Sequence, residues 1–202
     1  MASTASRIDI YNMALGFIGT RTIASPNEKT PEAIQCELYW DRARRSALRD
    51  FPYSFAQRRV RLGQKPMPDV YEDEWEYAYG LPDGCLKVHA VHGVRPSRVR
   101  REEWRLTGTG DELVILTQTE LAMADCTIDV ENVSLWDELF VMAMARKLAA
   151  LVCVPLLKNN QAKLQELEQL YQMAIPRAEG QDASEREKEP HMDSWLAARG
   201  TW

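Results

Sequence analysis

The 202-residue chain carries 25 Lys+Arg against 30 Asp+Glu, a formal net charge of −5, with 45% hydrophobic and 27% charged residues. This composition suits one medium domain with its own core, and it excludes collagen-like, low-complexity and wholly disordered chains. A net acidic balance also argues against a protein that grips nucleic acid along its surface, which requires a basic face.

Residues 6–19 read as a helix: Ser6 caps it, Asp9 completes a capping box, and Ile10, Ala14, Phe17 and Ile18 form one apolar stripe before Gly19 stops it. A loop rich in turn-forming residues follows. Thr30-Pro31-Glu32 then starts a second helix running to about Asp50, with a capping hydroxyl, Pro in the first turn and an acid at the positive dipole end. Ile34, Leu38 and Leu48 are expected to face the core, with Arg42, Arg44, Arg45 and Arg49 on the other faces. Phe51-Pro52 ends this helix.

Helical periodicity fades over residues 53–130. Alternation at 86–91 predicts a strand, and Val99 and Trp104 fall in an Arg-rich second one. The run from Leu106 through Gly110 turns into residues 113–117 as a hairpin, and residues 127–130 form a last strand. Ser134, with Asp137 three residues on, starts a third helix. That helix is apolar at nearly every angle, which predicts burial on several sides, and Pro155 kinks or ends it. Arg146 and Lys147 in its middle argue against a membrane span. A fourth helix is expected over residues 159–179, with Leu164, Leu167, Leu170 and Tyr171 on its apolar face. Residues 180–202 are polar and acidic, yet they hold Trp195, Leu196 and Trp202.

The expected fold is mainly α: an antiparallel helical bundle with a small inserted antiparallel β element and an extended C-terminal tail. Residues 1–56 supply the first two helices, 57–132 the β-rich insertion, 133–180 the last two helices and 181–202 a docking tail.

Motifs for catalysis are sparse. The sequence contains no HExxH, GxSxG, P-loop or GxGxxG pattern, and no catalytic, metal or cofactor residue is assigned. His89 and His92, three apart on a strand, are expected on opposite faces as ordinary sheet residues. Glu72, Asp73, Glu74 and Glu76 lack the glycine-turned spacing of a calcium loop and read as a solvated acidic stretch. Cys36, Cys85, Cys126 and Cys153 show no CxxC spacing and read as buried or neutral thiols in a reducing compartment. The N-terminal MASTASRID has no apolar stretch of the signal-peptide kind.

Charge is unevenly spread. Residues 1–101 hold 16 basic and 12 acidic groups, and residues 102–202 hold 9 and 18. Such asymmetry suits complementary surfaces between copies of one chain. Arg98, Arg100, Arg101 and Arg105 surround Trp104, which makes them candidates for a subunit interface, or less favourably for nucleic-acid contact. Trp40, Trp104 and Trp136 are expected in the core. Trp195, Leu196 and Trp202 are candidates for anchors in a partner's pocket.

The order of three segments carries a resemblance. The first is Asn12-Met-Ala14-Leu15, Ile18-Gly19, then Glu37-Leu38-Tyr39, Asp41, Arg45, Leu48 and Phe51-Pro52-Tyr53-Ser54-Phe55-Ala56. The second is Trp75-Glu-Tyr77-Ala78-Tyr79-Gly-Leu81-Pro82-Asp83-Gly-Cys85-Leu86-Lys-Val88. The third is Trp136-Asp137-Glu138-Leu139-Phe140, Ala143 and Ala145-Arg146-Lys-Leu148. Over residues 8–184 this resembles the head-to-tail adaptor family of tailed phages, known in short-tailed phages as tail tubular protein A. Tyr53 departs from the family's usual Trp, and residues 185–202 match no family pattern.

The resemblance implies a non-enzymatic virion protein of the neck, assembled in the host cytoplasm as a ring of twelve copies beneath the portal protein. It implies a tail nozzle or tube protein below, and genomic DNA passing through the channel without specific binding. No membrane or cofactor is implied. Rival readings from other classes are a small hydrolase acting on cell-wall polymer, which needs two converging carboxylates, and a DNA-binding accessory factor using the Arg98–Arg105 run.

Overall fold

Each helix begins on a side-chain cap. The computed structural model describes residues 5–93, 102–110, 112–158 and 160–173. Ser6 and Asp9 form the expected capping box at the start of α1 (Arg7–Ile18), which ends on Gly19 in the left-handed region at φ 74°. Thr30 accepts the Ala33 amide at 3.3 Å at the head of α2 (Pro31–Asp50). The third helix starts later than the Ser134 signal suggests. Asn132 caps a 3-10 turn over Val133–Leu135, and Asp137 then caps α3 (Glu138–Leu156), accepting the Phe140 amide at 2.6 Å. Pro155 lies in the last turn, close to where α3 stops. Asn160 caps α4 (Gln161–Gln172). The rest of the expected span, to residue 179, lies outside the described residues.

Seven strands lie between α2 and α3: β1 (Gln57–Arg61), β2 (Gln64–Lys65), β3 (Tyr77–Gly80), β4 (Cys85–His92), β5 (Trp104–Thr109), β6 (Glu112–Thr117) and β7 (Met123–Ile128). They form two antiparallel sheets, ordered β1-β7-β4 and β2-β3-β6-β5. With about 45% helix and 24% strand among the described residues, this is an α+β fold, and the expectation of a mainly α bundle with a small β element is corrected. The reason lies in strands whose sequences carry no hydrophobic alternation. β1 reads Gln-Arg-Arg-Val-Arg and pairs with β7, where Arg59 meets Asp125, 66 positions on, across the two strands. β7 starts at Met123 and ends at Ile128, earlier on both sides than the 127–130 reading.

The two layers have separate cores. Alternate residues of β7 (Ala124, Cys126) meet Val88 and Val91 of β4 and face Tyr79 and Ile115 of the second sheet, with Leu62, just beyond β1, completing the cluster. The helical core joins Tyr11, Trp40, Tyr53, Trp136, Phe140, Met144 and Leu148. Trp136 is fully buried, stacks on Trp40 with centroids 5.7 Å apart, and donates its indole N–H to the Val130 carbonyl at 3.0 Å. Nine residues of α3 are buried, which accords with the expectation of burial on several sides. Although α3 is long and apolar enough to cross a membrane, here it packs against α1, α2 and α4.

Candidate interaction surfaces

The outer face of the three-stranded sheet is polar. Asp125 and Thr127 alternate with the inward Ala124 and Cys126 of β7 and so share this face, Thr127 fully buried under its neighbours. Arg59 forks onto Asp125, Nε to Oδ1 at 2.6 Å and Nη2 to Oδ2 at 2.8 Å, and His92 Nε2 lies 2.8 Å from Oδ2. One row along, Thr127 Oγ1 accepts from Gln57 Nε2 at 3.1 Å and lies 2.8 Å from His89 Nε2. The Arg59 hydrogen bond holds the Asp125 carboxyl below the usual carboxylate range, with His92 adding to it and burial opposing.

His89 and His92 therefore share a face, against expectation. A register shift between Val88 and Ala90 inserts an extra residue and reverses the alternation. The arrangement gives one carboxylate shared by an arginine and a histidine, beside a shielded hydroxyl. Among the described residues no group of three or more His, Cys, Asp or Glu is placed to hold a metal ion.

A second cluster ties the helices to the sheets. Arg44, assigned from sequence to an outer face, is only 3% exposed. Its Nε and Nη2 meet Asp129 Oδ1 and Oδ2 at 2.8 and 3.0 Å, Nη1 meets Asp41 at 2.9 Å, and Nη2 meets Glu131 at 3.3 Å. Arg45 Nε reaches the same Asp129 at 2.7 Å. Asp129 follows β7 directly, so this network fixes the sheet's end against α2. Behind it, Tyr171 of α4 donates to Asp50 Oδ2 at 2.6 Å, and Lys147 of α3 meets the same oxygen at 3.0 Å. Burial first, and then the Asp50 carboxylate, push the Tyr171 hydroxyl up from its ordinary pKa. These groups flank a groove of about 760 Å³ between α2, α3 and α4, whose walls include Tyr39, Leu151, Val154 and Leu164.

Two apolar patches face solvent. On α2, Ile34 and Leu38 are 53% and 66% exposed, contrary to the expectation that they face the core, while Leu48 is buried as expected. Ala33, Cys36, Trp40, Ala43 and Ala47 take the inward stripe, so Ile34 and Leu38, one turn apart on another face, are left outside. On the hairpin, Leu106 of β5 and Leu113 of β6 are 42% and 49% exposed.

Of the residues singled out from sequence, Arg105 lies on β5, exposed, with its guanidinium carbon 5.6 Å from the centre of the Tyr71 ring. Arg98, Arg100 and Arg101 lie outside the described residues, as do Trp195, Leu196 and Trp202. Trp40 and Trp136 are core residues, and Trp104 is half-buried. Glu72, Asp73, Glu74 and Glu76 are exposed. Sequence reasoning missed the Arg44–Asp129 network and the Asp125 cluster, whose central pairs, Arg44–Asp129 and Arg59–Asp125, are 85 and 66 positions apart. Their only local signal is a charged residue on an otherwise inward helix position or next to a strand.

No family model matches the chain, and no curated protein matches it.

Proposed function

We propose that this chain is a structural adaptor that assembles as a ring between the portal and the tail of a phage particle, extending the channel through which DNA leaves. The observation that carries the reading is the pair of unlike apolar patches, Ile34 and Leu38 on α2 and Leu106 and Leu113 on the β5–β6 hairpin. A head-to-tail ring contact joins two different surfaces of one chain, and these two lie on different layers of the fold. The residue likeness over positions 8–184 supports the same reading, and the acidic balance suits a channel wall that repels phosphate. Twelve copies, the portal above and a nozzle or tube below belong to the proposal. In it the tail carrying Trp195, Leu196 and Trp202 docks on the portal, and Arg98, Arg100, Arg101 and Arg105 contribute to the contact between copies.

Electron microscopy of the purified chain, alone and mixed with portal rings, tests this. The expected result is small particles alone and a twelve-fold collar on the portal. Leu38→Glu lowers collar occupancy while leaving the circular dichroism spectrum unchanged, and deletion of 185–202 abolishes portal binding. A chain that remains monomeric beside the portal overturns the reading.

A further inference from the structure

Two thiols meet where the sandwich opens beneath α2. Cys85 begins β4 and Cys126 lies in β7, the neighbouring strand. The pairing runs Cys85 to Ile128, Lys87 to Thr127 and Val88 to Cys126, with a register shift after Cys85. Ile128 and Cys126 are two apart on β7 and share its inward face, so Cys85 stands diagonally beside Cys126. Cys85 packs against the buried cluster that contains Cys126. Both are free thiols, Cys126 buried and Cys85 half-buried.

Cys85 also lines a cavity of about 180 Å³ together with Arg49, Leu81, Trp104, Leu106 and Leu113. The cavity is several times the roughly 30 Å³ that a water molecule occupies in the liquid, so a small peroxide fits. Arg49 is exposed, and among the described residues no carboxylate forms an ion pair with it. Lys87 Nζ donates to the Arg49 carbonyl at 3.3 Å, which places a second cation beside the site.

We propose that Cys85 and Cys126 form a hydroperoxide-reactive thiol pair, with Cys85 attacking from the cavity and Cys126 resolving. The Cys85 thiolate attacks one peroxide oxygen, the O–O bond breaks, and the departing hydroxide takes a proton from solvent to become water. Cys85 is then a sulfenic acid. Cys126 loses its proton to water, its sulfur attacks the Cys85 sulfur, the S–O bond breaks, and a second hydroxide leaves as water. Two thiols are oxidised by two electrons, one hydroperoxide is reduced, and a disulfide joins β4 to β7.

Position assigns the roles in that order, because Cys85 lines the cavity and Cys126 is buried behind it, and the electrostatics agree. The Cys85 thiol is held below its ordinary pKa, chiefly by the hydrogen bond from Cys126; burial opposes this, and the Lys87 amide and the Arg49 guanidinium assist. Cys126 is pushed up by the same hydrogen bond and by burial. Burial and then Glu32 raise Cys36 to about 12, and burial raises Cys153. The chain therefore carries two internal controls.

The test uses the full, reduced chain. At pH 7, iodoacetamide alkylates Cys85 at least ~10-fold faster than Cys36 or Cys153, because the thiolate is the nucleophile. After brief treatment with hydrogen peroxide, peptide mass spectrometry finds a Cys85–Cys126 disulfide. In Cys126→Ser the reaction stops at a sulfenic acid on Cys85 that dimedone captures, and in Cys85→Ser neither product forms. Labelling of Cys85 no faster than the controls overturns the proposal, as does a disulfide with other partners. The labelling order is read on the native chain, so it decides the matter even if a variant fails to fold.

Discussion

Asp129→Asn is the substitution most informative about how the layers hold together. Arg44 is 3% exposed and the Asp129 side chain 9%, whereas Asp41 and Glu131 are 71% and 73% exposed. Ion pairs to exposed partners contribute about 1 kcal/mol or less each, so the Arg44–Asp129 fork dominates the network. Removing the charge of Asp129 leaves the buried guanidinium facing only those two exposed acids. Breaking a buried pair in this way costs about 3–5 kcal/mol. At about 2–4 °C per kcal/mol for a chain of this size, the melting temperature falls by about 6–20 °C. Arg44→Met is milder, about 1–3 kcal/mol, because Asp129 keeps Arg45 Nε at 2.7 Å and the methionine retains the buried stem. The double variant costs less than the sum of the two. Far-UV circular dichroism during urea and thermal unfolding at pH 7 reads all three, and raising NaCl to about 1 M leaves the order unchanged because the pair is shielded from solvent ions. An Asp129→Asn loss below about 1 kcal/mol, or Arg44→Met costing more than Asp129→Asn, refutes this account of the junction.

Two further outcomes follow from the cores and the polar sheet face. Trp136→Phe leaves the buried Val130 carbonyl without its donor and costs about 1–2 kcal/mol, while Trp136→Ala costs about 3–5 kcal/mol through the cavity it opens against Trp40 and Phe140; equal losses in denaturant unfolding contradict this division. The folded pKa of Asp125 lies below its unfolded value, so its pairing contributes stability above about pH 4 and loses it as pH falls through the folded value. The stability gap between the native chain and Asp125→Asn therefore narrows below about pH 4, and a gap that stays constant down to pH 2 contradicts it.

What the sequence makes legible is local. All four helices start on capping residues, and Gly19 and Thr30-Pro31 give boundaries to within a residue because the signal and the structure lie in the same few positions. Ser134 misleads, since Asn132 and Asp137 each cap something: a 3-10 turn spends the first signal and the helix begins on the second. The β layer is hard to read for a different reason. Gln57–Arg61 becomes a strand only because Asp125 stands opposite Arg59 and because Leu62, just beyond the strand, enters the sandwich core. His89 and His92 are assigned to the wrong faces by a one-residue bulge, which no periodicity reveals because it is a property of the pairing with β7. The same limit hides Cys85 from Cys126 at 41 positions' separation.

Helix α2 concentrates the disagreement between hydropathy and burial, and the two exchanged positions call for different explanations. Arg44 is inside because four oxygens receive it, so the departure from the amphipathic rule is compensated within the chain. Leu38 is outside, at 66% exposure, with Ile34 one turn before it, and nothing among the described residues covers either. A single exposed leucine needs no explanation, but two on adjacent turns form a stripe about the width of a helix-packing seam. Desolvating such a stripe contributes about 1.5–3 kcal/mol per side chain when a second surface closes on it. Uncompensated departures from local rules are expected at sites where a protein meets something else. That expectation is why collar formation in Leu38→Glu is measured beside Ile34→Glu: if both fold normally and both lower occupancy, the stripe is the contact, and if neither does, the ring must close through another surface.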